Sequence, residues 1–187
     1  MTDNGPQQLR YTAGLRDKKG SACEGGTRVP FFLKYPAIMK ESKDGETMTA
    51  QIDVLPTLSE LCRVDLPKDR KIDGKSLVPL IKGEKVDWSD RALFTYWTRK
   101  YPEQYNSMAI QKSGYKLVRQ ADYNASIEDF ELYNLKEDPY EQHNIVSKNK
   151  ELSKSLKNEL DTVYQELILS EDVFGNKFNH TSNVRNK

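Results

Sequence analysis

The segment from residue 18 to residue 30 has the residue types of an anion-binding loop. Gly25 and Gly26 allow the backbone to approach a ligand or another chain segment closely. Lys19 and Glu24 carry charges that cannot be buried unless they are paired, so the loop is expected to present a polar surface. From residue types alone, the segment is either an anion site or an ordinary turn before a strand, and composition favours the turn.

A second polar group, Asp3-Asn4-Gly5, lies upstream. Asp3 and Asn4 each offer a side-chain oxygen, and oxygen ligands suit a hard cation such as calcium or magnesium. Gly5 lets the chain turn away directly after them. An Asp-Asn-Gly sequence is most often just a turn, so the residue types leave a cation site and a plain turn both open.

Both segments resemble parts of the arylsulfatase-type sulfatases, which belong to the alkaline phosphatase superfamily. Residues 19–30 are similar to the motif that follows the metal site in that family. Their sequence pattern is Lys-Gly-Ser-x-x-Glu-Gly-Gly-x-Arg-Val-Pro. Further landmarks occur in the family's order, which makes the set more specific than any single motif. The resemblance runs from residue 2 to about residue 169 and covers only the C-terminal part of a sulfatase. The other landmarks are residues 3–6, 51–58, 72–77 and 131–139.

The resemblance implies specific roles for the polar residues. Lys19 corresponds to the active-site lysine that contacts the substrate sulfate, with Lys18 as the candidate if the register shifts by one. Asp3 and Asn4 correspond to ligands of a divalent cation, most often Ca²⁺, at the carboxyl end of a central strand. The implied substrate is a sulfated small molecule or a sulfated carbohydrate.

The residues around the double glycine are expected to support the loop rather than to take part in chemistry. Glu24 and Arg28 flank Gly25 and Gly26, and a hydrogen bond or ion pair between them would hold the loop together. Cys23 stands where the family often has an aromatic residue. Because of this departure, the residues that form the wall of the predicted pocket stay undetermined, but the assignment of Lys19 is not affected.

The nucleophile that the family uses is not found in this sequence. Sulfatases convert a cysteine or serine in a Cys/Ser-x-Pro/Ala-x-Arg setting to formylglycine, and neither Cys23 nor Cys62 has that setting. Formylglycine and the remaining acidic ligands are expected in an N-terminal part of the enzyme. The isolated chain is therefore predicted to be inactive. His143 and His180 have no triad setting and are expected at the surface or in packing.

Composition limits the classes of partner. The net charge of +1 gives no electrostatic reason to expect binding to nucleic acid or to an anionic membrane, and no apolar run is long enough for a transmembrane helix. The first residues do not form a signal peptide, and the family suggests an extracytoplasmic enzyme. Both cysteines are expected to be small buried hydrophobic residues. Asn124 and Asn179 lie in sequences that fit the N-glycosylation pattern.

The elements that must position the loop begin directly after it. Residues 29–35 are predicted to form a buried strand, and residues 49–64 a helix with Asp53 as a possible cap. Residues 76–82 are predicted to form a short helix that begins at Ser76 and ends at Gly83. The predicted apolar stripe of the first helix consists of Ile52, Leu55, Leu58 and Leu61.

The second half has a different pattern. Strands are predicted at residues 92–98, 107–111, 115–120 and 130–135, with a hairpin at residues 112–114. Leucines and a valine at steps of four and three predict a helix from about residue 148 to residue 170. The residues of this stripe are Leu152, Leu156, Leu160, Val163 and Leu167.

The fold class predicted is α/β, and α+β within this chain. Residues 1–90 are interpreted as the end of an alkaline-phosphatase-like α/β domain, and residues 91–170 as a small four-stranded antiparallel sheet packed with a long C-terminal helix. Residues 171–187 are expected to be a loose tail. The predicted function is part of a sulfatase. A phosphoester or phosphonate hydrolase of the same superfamily, or a non-catalytic remnant or binding module, stays open.

Overall fold

A computed structural model describes residues 1–39, 44–98, 104–120 and 126–169, and the side chains of residues 168 and 169 are not included. Four α-helices and four strands form within these residues, together with four short 3-10 helices. The helices are α1 (Glu24–Thr27), α2 (Val54–Cys62), α3 (Val78–Lys82) and α4 (Lys150–Leu169). The strands are β1 (Ala92–Tyr96), β2 (Met108–Lys112), β3 (Tyr115–Arg119) and β4 (Glu131–Asn134).

The predicted four-stranded antiparallel sheet is confirmed, with the strands in the order β1-β2-β3-β4. Ser113 and Gly114 form the two-residue connection between β2 and β3, and both have positive φ, 52° and 84°. This combination matches the right-handed twist of a hairpin. The register places Ile110 opposite Phe94 on one side and opposite Leu117 on the other.

One face of the sheet packs on α4. Because side chains alternate along a strand, Met108 and Ile110 of β2 point to the same face as Leu117 of β3. All three are fully buried, and Leu156 and Leu160 of α4 cover them. The predicted long helix is therefore confirmed, and Leu152, Leu156 and Leu160 of its predicted stripe pack on the core. Further along the helix Tyr164 is buried, whereas Val163 of the predicted stripe is only half-buried.

The opposite face of the sheet packs on the segment before α1. Ala22 and Cys23 are fully buried against Ala109, Val118 and Tyr133. The predicted burial of Cys23 is thus correct. A loop from the first half of the chain covers a sheet from the second half, and the predicted boundary at residue 90 stays a prediction.

The predicted strand at residues 29–35 is wrong. This segment joins no sheet among the described residues, and Phe32 is 86% exposed. A strand needs a neighbour to accept its backbone hydrogen bonds and a surface to cover its apolar side chains. Neither contact is present in the described part of the chain.

The helix at residues 54–62 forms, but its predicted stripe does not face a core. Ile52, Leu55 and Leu58 are 48–52% exposed. The buried residues at this position are Asp53, Pro56 and Thr57, which lie on the other side of the helix. Cys62 is also exposed, so its predicted burial is wrong.

A buried ion pair explains why the polar side of α2 faces inward. Asp53 accepts hydrogen bonds from Arg91 Nη2 at 2.5 Å and from the backbone N–H of Lys75 at 2.8 Å. Its second oxygen accepts the N–H of Ala50 at 2.7 Å, as a cap does. Thr57 continues the contact by accepting the N–H of Leu77. The landmarks at residues 51–58 and 72–77 are therefore bonded to each other.

Some predictions concern residues outside those described. They are the loose tail from residue 171 and the possible glycosylation sites Asn124 and Asn179. Within the described residues, no helix is both long and apolar enough to cross a bilayer. His143 is exposed, as expected, beside Asp138.

The exposed stripe predicts that α2 is less protected than the sheet. Amides of β3 lie between two paired strands under α4, whereas α2 leaves much of its apolar surface in water. Hydrogen exchange resolved by residue should therefore show slower exchange for residues 115–119 than for residues 54–62. Slower exchange in α2 would contradict this account of the packing.

Candidate functional site

Backbone hydrogen bonds bring the two polar motifs together. The N–H of Lys19 donates to the carbonyl of Pro6 at 3.0 Å, and the N–H of Gly5 donates to the carbonyl of Gly26 at 2.8 Å. A third bond joins the N–H of Gly25 to the carbonyl of Arg16 at 2.7 Å. The Asp-Asn-Gly segment and the lysine segment therefore belong to one folded unit, which we call the site loop (residues 3–28).

The glycines of the site loop are required for close approach. A Cβ atom on Gly25 would lie 2.1 Å from the carbonyl oxygen of Asp17, and one on Gly5 would lie 1.9 Å from the carbonyl oxygen of Gly25. Both distances are far shorter than van der Waals contact. The loop can adopt this conformation only where two segments of bare backbone meet.

A buried ammonium fixes the site loop on the sheet. Lys116 of β3 is 2% exposed, and its Nζ lies 2.8 Å from Oε1 of Glu24 and 3.3 Å from Oε1 of Glu141. It also lies 3.4 Å from the hydroxyl of Thr27. Glu24 is therefore held mainly by Lys116, while the predicted partner Arg28 lies 3.8 Å away and is mostly exposed. We call Lys116, Glu24 and Glu141 the anchor cluster.

A turn after β4 positions Glu141 in the anchor cluster. Asp138 accepts the N–H groups of Gln142 and His143, and Glu141 adopts a left-handed φ of 55°. Oε2 of Glu141 then accepts the backbone N–H of Glu24 at 2.8 Å. The landmark at residues 131–139 thus has a structural role, because its turn supplies the second carboxylate.

Burial raises the pKa of Glu141, and the nearby charge of Glu24 raises it further, against the attraction of Lys116. The physical cause is that one ammonium faces two carboxylates in a water-poor space. A proton on Glu141 relieves that excess of negative charge. The anchor cluster is therefore sensitive to pH.

Two further contacts hold the loop on the same face of the sheet. Arg16 lies 2.8 Å from Glu131 and donates to the hydroxyl of Tyr133 at 2.5 Å. Gln120 donates to the sulfur of Cys23. Burial and the charge of Glu141 raise the pKa of the Cys23 thiol to about 11, so this sulfur stays protonated near neutral pH and is not a nucleophile.

The predicted cation ligands lie side by side. Asp3 is exposed, and its carboxylate accepts a hydrogen bond from the amide of Asn4 at 2.6 Å. The donor chemistry fits a hard cation, since turning the Asn4 amide would present a second oxygen. Calcium takes six to eight oxygen ligands, however, so this pair fits only as part of a site. The described residues contain no group of three or more acidic, histidine or cysteine side chains that could hold a metal.

Lys19 is exposed, and its ammonium makes no hydrogen bond or ion pair within the described part of the chain. Lys18 is half-buried, and its N–H donates to Asp17. A cavity of about 440 Å³ opens between the start of the site loop and Pro30, and both Asn4 and Arg28 line it. Lys19 does not line this cavity, so the lysine and the cavity present two separate surfaces of the loop.

Sequence reasoning missed the anchor cluster. Lys116 stands at an alternating position of β3 that points to the same face as Val118, and that alternation was the only local signal. Its partner Glu24 is 92 positions away in sequence.

The chain matches a known protein family over most of its length. Residues 13–166 match the family described as "N-sulphoglucosamine sulphohydrolase, C-terminal". The matched region includes the site loop from residue 13 onward, the sheet and most of α4.

Individual relatives are sulfatases. The chain is 34% identical to a steryl-sulfatase of Rattus norvegicus over 50% of its own length and 16% of the relative. It is 30% identical to an N-acetylgalactosamine-6-O-sulfatase of Bacteroides thetaiotaomicron over 79% of its own length and 29% of the relative.

A solved structure shows the same fold. This protein, from work on glycosaminoglycan metabolism by Bacteroides thetaiotaomicron, is 26% identical with a TM-score of 0.61, and the match covers 82% of this chain and 32% of that one. The chain thus spans less than a third of the length of each of these sulfatases.

The anchor cluster predicts a large stability cost for Lys116→Met. The substitution leaves two buried carboxylates without their ammonium, so the free energy of unfolding should fall by about 3–5 kcal/mol. Chemical denaturation measures this change. Lys112→Met on the neighbouring strand is the matched control, because Lys112 pairs with Glu159 near the surface and should contribute at most about 1 kcal/mol. Equal effects of the two variants would contradict the role of the cluster.

The raised pKa of Glu141 predicts how stability depends on pH. The folded state holds this proton more tightly than the unfolded state, whose pKa is near 4.5, so the stability that the proton contributes is complete below that value. It is lost as pH rises through the folded pKa. Glu141→Gln should remove this component, so wild type should lose stability relative to the variant as pH rises above 4.5. A constant difference as pH rises would contradict a raised pKa of Glu141.

Proposed function

This chain belongs to the sulfatase family, as a C-terminal sulfatase domain, and on that basis we propose that it forms part of an enzyme that hydrolyses sulfate esters of carbohydrates. In this proposal Lys19 binds the substrate sulfate, and Asp3 and Asn4 supply two ligands of a divalent cation. The observation that carries the proposal is the set of backbone hydrogen bonds that unites the Asp-Asn-Gly segment with Lys19.

The chemistry of Lys19 follows from its position. Hydrolysis consumes one water: the bond between sulfur and the substrate oxygen breaks, and that oxygen leaves with a proton. An exposed ammonium can neutralise the sulfate in the ground state and stabilise the negative charge that grows on the leaving oxygen. The anchor cluster supports this role by holding the loop rigid, which reduces the cost of orienting the lysine.

The cation and the nucleophile require residues beyond this chain. A hard divalent cation, which we propose to be Ca²⁺, would polarise the sulfate oxygens. Asp3 and Asn4 would hold one side of it. The nucleophile, by family resemblance a formylglycine, would come from the N-terminal part of a complete sulfatase. We also propose, from the family alone, that the complete enzyme is extracytoplasmic.

Two alternative functions have less support than the proposed one. A phosphoester or phosphonate hydrolase would share the superfamily, but the family and the relatives that match are sulfatases. A non-catalytic module would keep the anchor cluster without turnover, and the lack of the nucleophile motif in this sequence favours it for the isolated chain. Comparing turnover of sulfate and phosphate esters by the complete enzyme separates the first alternative from the proposal.

The role of Lys19 predicts a specific kinetic effect in a complete sulfatase that carries this chain. Lys19→Ala should lower kcat roughly a hundredfold or more, which is the scale of losing one donor to a developing oxyanion. The loss should be smaller for an aryl sulfate with a good leaving group, because that oxygen needs less stabilisation. Lys19→Arg should restore little activity, since a planar guanidinium does not replace a compact ammonium.

The matched control is Lys18→Ala, which removes the neighbouring ammonium and should have a mild effect. If Lys18→Ala is the more damaging variant, the sulfate-binding residue is Lys18. If neither variant changes kcat, the site loop does not bind the sulfate. The isolated 187-residue chain should show no turnover in the same assay.

A further inference from the structure

A side-chain hydrogen bond ties the start of α2 to Asp3. The amide nitrogen of Gln51 donates to the backbone carbonyl of Asp3 at 3.1 Å, across 48 positions of sequence. The bond ends on the main chain, so it uses neither carboxylate oxygen of Asp3. Gln51 can therefore hold Asp3 in place and still leave its carboxylate to a ligand.

The short 3-10 helix that carries Gln51, residues Gln51–Asp53, is itself fixed by buried contacts. The carboxylate of Asp53 accepts the N–H of Ala50 at 2.7 Å and the N–H of Lys75 at 2.8 Å. Arg91 pairs with the same carboxylate, and both side chains of this pair are almost fully buried. The backbone at Gln51 therefore has little freedom to move away from Asp3.

Gly74 packs directly on this 3-10 helix. A Cβ atom at Gly74 would lie 1.9 Å from the carbonyl oxygen of Ile52 and 3.1 Å from the backbone nitrogen of Asp53. Two segments of backbone approach this closely only where one of them has no side chain. The segment at residues 72–77 thus fixes the 3-10 helix from the side opposite its own chain neighbours.

The segment of Asp3 and Asn4 is held from a second direction. The N–H of Gly5, the next residue, donates to the carbonyl of Gly26 in the site loop at 2.8 Å. Asp3 and Asn4 therefore lie between an attachment to α2 and an attachment to the site loop. Such support matters for a cation ligand, because hydrogen-bonded neighbours that orient a ligand contribute to metal affinity.

We propose that Gln51 is a positioning residue for Asp3 as a ligand of the divalent cation, and that the buried Asp53–Arg91 pair and Gly74 hold Gln51 in place. This inference rests on the proposed function, in which Asp3 is a ligand. Gln51 acts through Asp3 and does not touch the cation. The affinity for the cation then depends on residues of α2 and of the segment at residues 72–77.

The test measures the Ca²⁺ dissociation constant by calorimetry, in a complete sulfatase that carries this chain and has been stripped with a chelator. Gln51→Met keeps the length of the side chain but removes its donor, and it should weaken Ca²⁺ binding roughly tenfold. At saturating Ca²⁺, kcat should stay near the wild-type value, because every ligand is still present. Gln165→Met, on an exposed position of α4, is the matched control and should bind Ca²⁺ as wild type does.

Thermal unfolding separates positioning from general stability. In chelator, Gln51→Met should unfold at the wild-type temperature, whereas the rise in Tm caused by Ca²⁺ should be smaller, since that rise follows affinity. A lower Tm in chelator together with unchanged Ca²⁺ affinity would overturn the inference, because Gln51 would then serve only the fold.

A second variant tests the link between Gln51 and the contacts that hold it. Gly74→Ala forces the 3-10 helix to shift, so it should weaken Ca²⁺ binding in the wild-type background and add little in the Gln51→Met background. Equal effects of Gly74→Ala in the two backgrounds would show that this contact does not act through Gln51.

Asp3→Ala distinguishes failure of this inference from failure of the proposed function. If Asp3→Ala weakens Ca²⁺ binding and Gln51→Met does not, Asp3 stands as a ligand and the positioning role is overturned. If neither variant changes the affinity, the assignment of Asp3 as a ligand is wrong, and the positioning role is overturned with it. An effect of Gln51→Met without an effect of Asp3→Ala also overturns both.

Discussion

The burial of a single ammonium, that of Lys116, determines how the site loop sits on the sheet. A lysine that is 2% exposed is tolerated only where carboxylates replace its water, and here Glu24 and Glu141 do so. Glu24 belongs to the site loop, Lys116 to β3, and Glu141 to the turn after β4. One cluster of charge therefore joins three segments that are far apart in sequence. Buried ion pairs add little net stability but strongly penalise arrangements that leave a charge unpaired, so the cluster specifies the position of the loop.

This constraint connects the fold to the proposed chemistry. The ammonium of Lys19 has no partner within the described residues, so its position depends on the backbone around it. That backbone is held by hydrogen bonds to Pro6 and by glycine contacts that admit no side chain. The anchor cluster fixes the other end of the loop to the sheet. A lysine on a rigid loop can bind a sulfate with little further loss of conformational entropy, because the loop is already ordered.

The sequence allowed those features to be predicted that depend on local patterns. The Ser113-Gly114 hairpin, the alternating strands and the leucine spacing of α4 are local, and all were predicted correctly. The stripe on α2 was also real, but periodicity shows which side chains share a face and not whether anything covers that face. Ile52, Leu55 and Leu58 are exposed because Asp53 pairs with Arg91 on the opposite side.

The anchor cluster could not be predicted in the same way. No local pattern links Lys116 to Glu24, and a lysine in a strand is normally taken to face solvent. The residues flanking the double glycine predicted the pair of Glu24 with Arg28, which lies at 3.8 Å, but they did not indicate Lys116, the closer and more buried partner of Glu24. Long-range pairing of charges is a property of the folded chain, and only the structure shows it.

A double-mutant cycle tests the central claim that the anchor cluster acts by positioning Lys19. The quantity to measure is kcat/KM for a sulfate ester in a complete sulfatase that carries this chain, for Lys116→Met, Lys19→Ala and the double variant, each verified to be folded. If the cluster acts through the lysine, Lys116→Met should lower kcat/KM strongly on its own and only slightly once Lys19 is absent, with a coupling energy of about 1–3 kcal/mol. Effects that add to within about 0.5 kcal/mol would contradict the account, because they would show that Lys116 and Lys19 contribute independently.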